Sequence, residues 1–148
     1  MLLDPRGPRF AAAVTAVVFV LILVTGAWWL AAAQAVVFLI TAVDPRRGPY
    51  GLVYRALVAP RLPRPTELEP ADPVRFAQAM GAAFAVAAAI GYGAGGTAGT
   101  TVGIVAAAFG LAAAFLNSVF GLCLGCEIYL AARRITGRPL AARVPAND

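Results

Sequence analysis

The chain has 148 residues, 61% of them apolar and 13% charged, with a mean hydropathy of +0.80 and a formal charge of +5. A soluble domain averages about 45–50% apolar and about 25% charged, so this composition excludes an ordinary water-soluble domain and points to a membrane protein. The absence of His excludes Ser-His and Cys-His dyads and any His-held metal or haem.

The opening arm, Met1 to Arg9, carries two prolines and two arginines. From Phe10 the run is apolar or small to Thr25; Gly26 interrupts it, and Trp28 and Trp29 open a second run that ends at Val43. A bilayer core takes roughly 20 helical residues. Residues 10–43 therefore suit two short spans, 10–25 and 28–43, joined by a tight turn, with the indoles at the interface. The alternative is a signal peptide cut near Gly26; Asp4 and Pro5 are poor residues for the start of one.

Residues 44–73 form the longest polar stretch, with Arg46, Arg47, Arg55, Arg61 and Arg64. Tyr50 to Val58 suits a short helix lying on the membrane, with Leu52, Val53, Tyr54 and Leu57 towards lipid and Arg55 towards water. Pro60, Pro63, Pro65, Pro70 and Pro73 then favour extended structure. The stretch reads as a connector or as a loop that docks a partner.

A third span is expected over 74–91. Ala77, Gly81, Ala85 and Ala88 recur at spacings that allow close helix approach. Gln78 inside this span, like Gln34 in the second, is expected to bond a neighbouring helix. Gly91 to Thr101 reads as a flexible turn, with neither the strand nor the Lys of a phosphate loop. The last apolar run, 102–132, would make a straight helix about 46 Å long against a core of about 30 Å. It must tilt, kink near Gly110 or Gly121, or extend beyond the lipid. Gly103, Ala107, Gly110, Ala114, Asn117, Gly121 and Gly125 form a seam of small residues for packing.

All 12 positive charges are Arg, and both turns between paired spans hold none. The positive-inside rule then places the amino terminus, the 44–73 loop and the carboxyl terminus in the cytoplasm. The expectation is an all-α polytopic protein of the plasma membrane: one domain, residues 1–148, with four transmembrane helices and a Pro/Arg-rich cytoplasmic loop. The basic charge is a topology signal and an attraction to anionic lipid, not a nucleic-acid footprint. Asp4-Pro-Arg-Gly-Pro-Arg-Phe-Ala11 recurs in shortened form as Asp72-Pro-Val-Arg-Phe-Ala77. This is either a duplicated two-helix unit or convergence on favourable helix-start residues.

Chemistry concentrates near the end of the last run. Cys123 and Cys126 are the two cysteines, spaced CxxC, and Glu127 is the one acid deep in an apolar run. On a continuous helix the two Cα atoms would lie about 5 Å apart, within disulfide range. Glu127 would share their edge and is expected to face the bundle, with Arg9 or Arg75 as partner, because an acid in lipid costs roughly 2–3 kcal/mol at mid-bilayer. A nearby Arg would favour thiolate. Asn117 and Gln78 are supporting candidates. The cysteines are open to three readings: thiol–disulfide or sulfur chemistry, transient binding of a soft metal by Cys123 and Cys126, or plain packing. A structural zinc site would need a dimer to supply four ligands.

The blocks Asp4-Pro-Arg6, Pro49-Tyr50-Gly51, Pro60-Arg61, Glu67-Leu68-Glu69, Arg75-Phe76-Ala77-Gln78, Phe115-Leu116-Asn117 and Cys123-Leu-Gly-Cys126-Glu127-Ile-Tyr129 carry a resemblance. They resemble a family of small bacterial integral membrane proteins of unknown function, common in actinobacteria. The resemblance implies no activity or cofactor, but it implies association with thioredoxin-like proteins and sulfurtransferases. Three functions follow as expectations. The pair exchanges electrons or sulfur with a cytoplasmic thioredoxin-like or rhodanese-like partner; or the bundle, as a homo-oligomer, carries a sulfur species or soft metal ion; or the chain is a structural subunit.

Overall fold

The computed structural model describes residues 1–146. The protein is all-α in class and 75% helical. Its helices are α1 (Arg6–Thr25), α2 (Trp28–Val43), the short α3 (Pro49–Val53), α4 (Ala71–Ala94), α5 (Gly96–Phe120) and α6 (Leu124–Ile135). A π-helical turn (Tyr54–Val58) and a 3-10 turn (Ala59–Arg61) continue α3. Three short strands, β1 (Leu2–Leu3), β2 (Glu67–Pro70) and β3 (Val144–Pro145), complete the chain. Among the described residues, α1, α4 and α5 are long and apolar enough to cross a membrane, with 20, 24 and 25 residues. Helix α2 is apolar but shorter, at 16 residues.

The helix boundaries follow from the end residues. Helix α1 begins at Arg6, ahead of the apolar run, because Pro5 and Pro8 fall where a helix lacks N–H partners anyway. The Asp4 carboxylate accepts the Arg6 backbone N–H at 3.0 Å. Helix α4 likewise starts early, at Ala71, with Asp72 in its first turn. The flexible turn expected over 91–101 is mostly helix: α4 runs to Ala94, and Gly95 alone links it to α5. The glycines there serve as contact surface, since the backbones of Gly91 and Gly103 approach closely. Small residues permit such approach in an apolar medium.

The run 102–132 is two helices, broken at Gly121–Cys123. Helix α5 ends at Gly121 in the left-handed region (φ 68°), where a side chain would be strained and glycine is not. The small-residue seam before the break is inside: Gly103, Ala107, Gly110 and Ala114 are buried.

The core joins Phe19 and Ile22 of α1, Ala31, Ala35 and Phe38 of α2, Ala82, Ala85 and Ala88 of α4, and Ala106 and Ala107 of α5. Helix α4 packs along both α2 and α5, and α5 packs along α1, whereas α1 and α2 touch little. The α3 segment wedges near their diverging ends. Tyr50 Oη donates to Gln34 Oε1 at 2.7 Å, and Tyr54 Oη donates to Asp4 Oδ2 at 3.0 Å. Leu52, Val53 and Leu57 are exposed, as a membrane-surface helix requires, but Tyr54 is buried instead of facing lipid. Its hydroxyl needs an acceptor, and the Asp4 carboxylate is the one that the arm presents. Burial, that hydrogen bond and the Asp4 charge push the Tyr54 pKa up to about 12, against a small opposing effect of Arg6.

One antiparallel sheet, ordered β1-β2-β3, ties the arm, the loop and the tail together. Leu2 and Leu3 pair with Pro70 and Glu69, while Glu67 and Leu68 pair with Pro145 and Val144. Arg6 Nη1 adds a bond to the Pro63 carbonyl at 2.9 Å. Arg143 meets Glu67 at 3.2 Å, both about half exposed, and an ion pair that wet contributes little.

Candidate functional site

The break in the last apolar run builds the site. Because Gly121 stops α5, Cys123 does not sit inside a continuous helix. It is the N-cap of α6, with extended backbone (φ −84°, ψ 96°), and Cys126 lies in the first turn. The Cys126 backbone N–H donates to Cys123 Sγ at 3.3 Å. The two Cα atoms are 5.2 Å apart and the sulfurs stand at disulfide-bonding distance. An N-cap sulfur faces the unpaired N–H groups and positive end of a helix, an environment that favours thiolate over thiol.

Gly125 sets the position of this turn. A Cβ there would lie 2.6 Å from Ala77 Cα and 2.7 Å from Ala77 Cβ, so α6 presses directly on α4 between the two cysteines. Phe76 and Tyr129 pack beside the contact, ring centroids 5.7 Å apart.

The other sequence candidates divide. Glu127 lies in the first turn of α6 and is exposed, where a negative side chain complements the helix end. Among the described residues it forms no ion pair with Arg9 or Arg75. Those arginines bind helix ends instead. Arg9 Nη2 donates to the carbonyls of Ser118 and Val119 at 3.5 and 3.4 Å, and Arg75 Nε donates to the Ala42 carbonyl at 2.8 Å. Each covers carbonyls that the end of a helix leaves unpaired. The Arg9 guanidinium also lies against Gly121, two residues before Cys123. Arg75 is outside the cavities that touch the cysteines.

Cys123 stands between two cavities. One, of about 110 Å³, is polar and contains both cysteines, Asn117, Gln78, Arg9 and Glu127. The other, of about 220 Å³, is apolar and lies between α1, α4, α5 and the start of α6, with Phe38 of α2 at its wall. Cys123, Asn117 and Gln78 line both. Gln78 lines open space, whereas the Gln34 carbonyl has its partner in Tyr50 and the buried Gln34 Nε2 has none among the described residues.

Sequence reading overlooked Glu69, Arg143 and Thr15. The sheet brings Glu69 of β2 and Arg143, just ahead of β3, to the polar cavity; the strands that do so are too short to show any periodicity. Burial pushes the Glu69 carboxyl above the usual glutamate range, Arg143 opposes this, and Asp4 adds to it. Thr15 is a buried hydroxyl within α1 that lines the apolar cavity. A polar residue in the middle of an apolar span was its available signal.

Membrane-length apolar helices with a CxxC pair at one end of the bundle define a helical membrane protein. The chain belongs to the family of the domain of unknown function DUF4395, which matches residues 3–134, from β1 into the last turn of α6. No curated protein and no solved structure matches the chain.

Proposed function

We propose that the protein is a four-span plasma-membrane protein whose Cys123–Cys126 pair exchanges electrons or sulfur with a cytoplasmic thioredoxin-like or rhodanese-like protein. Helix α2 is the short fourth span, with Trp28 and Trp29 exposed in its first turn at the interface. Every arginine lies in the arm, the loop, the tail or the helix turns that adjoin them, and the arm, loop and tail meet in one sheet, which supports a common cytoplasmic side for both termini.

The observation that carries the reading is Cys123 at the α6 N-cap, its sulfur taking the Cys126 N–H beside a polar cavity. Cys123 is the attacking thiolate and Cys126 the resolving thiol. Attack by Cys123 on a partner disulfide forms a mixed disulfide and releases one partner thiol. Attack by Cys126 on Cys123 then releases the second partner thiol and closes the internal disulfide. Arg9 offsets negative charge near Cys123, and Asn117 and Glu127 border the path of approach.

Maleimide trapping in native membranes tests this, with a permeant reagent before and after reduction and an impermeant one on inverted vesicles. A pair that cycles and is reached from the cytoplasmic face is expected, with Cys126→Ser accumulating a mixed disulfide through Cys123. A pair that stays reduced and shielded under oxidant would overturn the reading and leave Cys123 and Cys126 as packing residues.

A further inference from the structure

The polar cavity accounts for one side of Cys123. The apolar cavity on its other side is left without a role. Its rim is formed by Met80, Phe109, Leu124 and Ile128, all exposed on the apolar surface of the bundle. A solute dissolved in the hydrocarbon of a bilayer meets that rim directly, whereas a solute in water does not. Phe84 and Phe109 stack along the wall, ring centroids 6.0 Å apart and planes 18° apart. The amides of Gln78 and Asn117 reach the end where Cys123 lies, and neither side chain is hydrogen-bonded among the described residues. A cavity of about 150 Å³ admits benzene, so one of about 220 Å³ admits a substituted ring.

We propose that this cavity binds the ring of a lipid-soluble quinone, and that the quinone takes the electrons of the reduced Cys123–Cys126 pair. Four features select that chemistry. The cavity opens to lipid, its wall suits a flat ring, and its inner end offers amide N–H donors to a carbonyl oxygen. At that end stands one member of a dithiol, a two-electron donor. Bacterial membranes do use quinones to reoxidise protein thiols. The step balances: the two S–H bonds break and one S–S bond forms. The two electrons and two protons pass to the quinone, whose carbonyl oxygens become the hydroxyls of the quinol. For turnover the thiol exchange runs in reverse: a partner thiolate attacks Cys123 Sγ of the internal disulfide and releases the Cys126 thiol, and the second partner thiol then attacks the mixed disulfide, releasing Cys123 as a thiol and leaving the partner as a disulfide. Cys123 touches both cavities and so connects a water-soluble dithiol partner to a lipid-soluble acceptor.

This inference rests on the thiol-exchange reading, and the test separates the two. The full chain is reconstituted in quinone-free lipid nanodiscs, reduced, freed of reductant and kept anaerobic. It is then mixed with 2,3-dimethyl-1,4-naphthoquinone, whose substituted ring resists addition of thiols, or in parallel with oxidised glutathione. Expected is one quinol formed per Cys pair, with none formed by Cys123→Ser. Ala113→Phe fills the apolar cavity and lowers the ratio of the quinone rate to the glutathione rate about tenfold. Phe109→Ala, at the rim, lowers the same ratio without filling the interior. The ratio itself corrects for any general loss of folded protein. A pair that glutathione oxidises but quinone does not overturns the quinone site alone, as does a ratio that neither variant moves. A pair that neither oxidant touches overturns the thiol-exchange reading as well.

Discussion

At one end of the bundle the chain turns on glycine. Gly26 ends α1, Gly95 separates α4 from α5, and the two turns meet where Tyr92 and Gly93 lie beside Gly26 and Trp28. No charge is found between Thr25 and Val43 or between Gly91 and Phe120. At the other end the chain is held by side chains and a sheet: Arg9 and Arg75 on helix ends, Tyr54 on Asp4, and β1-β2-β3. The difference teaches that this molecule places its cysteine pair where the backbone needs outside help. The glycine turns carry no charge and leave the Tyr92 hydroxyl buried without a partner among the described residues, whereas the broken, sheet-bearing end gathers arginines, the carboxylates of Glu67 and Glu69 and both cysteines.

Substitutions at the sheet-bearing end put that comparison at risk. The largest effect is expected from Gly125→Ala, because the added methyl meets backbone at Ala77 rather than a flexible side chain. Overpacking of this kind costs about 1–3 kcal/mol, so thermal unfolding in detergent should fall and cross-linking of Cys123 with Cys126 should weaken. Cross-linking at wild-type yield would mean that the α4–α6 contact does not position the pair.

A smaller loss is expected from Tyr54→Phe, which leaves the Asp4 carboxylate short of a partner, at about 1 kcal/mol. The variant should also lack the tyrosine that titrates only near pH 12, as followed by phenolate absorbance. If the high titration persists, the wedge is held by something other than this bond.

The smallest effect concerns Glu69, whose native pKa lies above its unfolded value because of burial. The native state therefore binds this proton more tightly. Its contribution is fully present below the usual glutamate range and is lost as pH rises through the raised native pKa. Glu69→Gln should flatten that fall in a series of melting temperatures against pH. An unaltered slope would assign the pH dependence to other groups.

Much of the helical framework was legible. Apolar runs 10–25 and 28–43 correspond closely to α1 and α2, since uninterrupted hydropathy and a single glycine leave little choice. The span expected over 74–91 is extended at both ends, because proline is tolerated in a first turn and glycine is tolerated in a packed helix. The glycines from Gly91 to Gly103 misled for a physical reason: the flexibility they give in water becomes close packing between apolar helices. At the site, Gly121 was a visible candidate for a kink, but its left-handed end to α5, and hence Cys123 as a cap, depends on α6 turning back onto Ala77. The sheet was illegible because strands of two to four residues draw their stability from partners far away in sequence.

The order of that sheet has a consequence for how the protein is made. Strand β2 is central, but β3 follows every helix in the chain. During synthesis β1 can pair with β2 as soon as residues 67–70 emerge, while α4, α5 and α6 are still to come. The pairing of Glu67 and Leu68 with Pro145 and Val144 must wait until the last helix has been delivered. Closing so long a loop is slow relative to local helix formation. The third strand is therefore a latch that only a completed chain can fasten, and the polar cavity beside the cysteines acquires its Arg143 wall last.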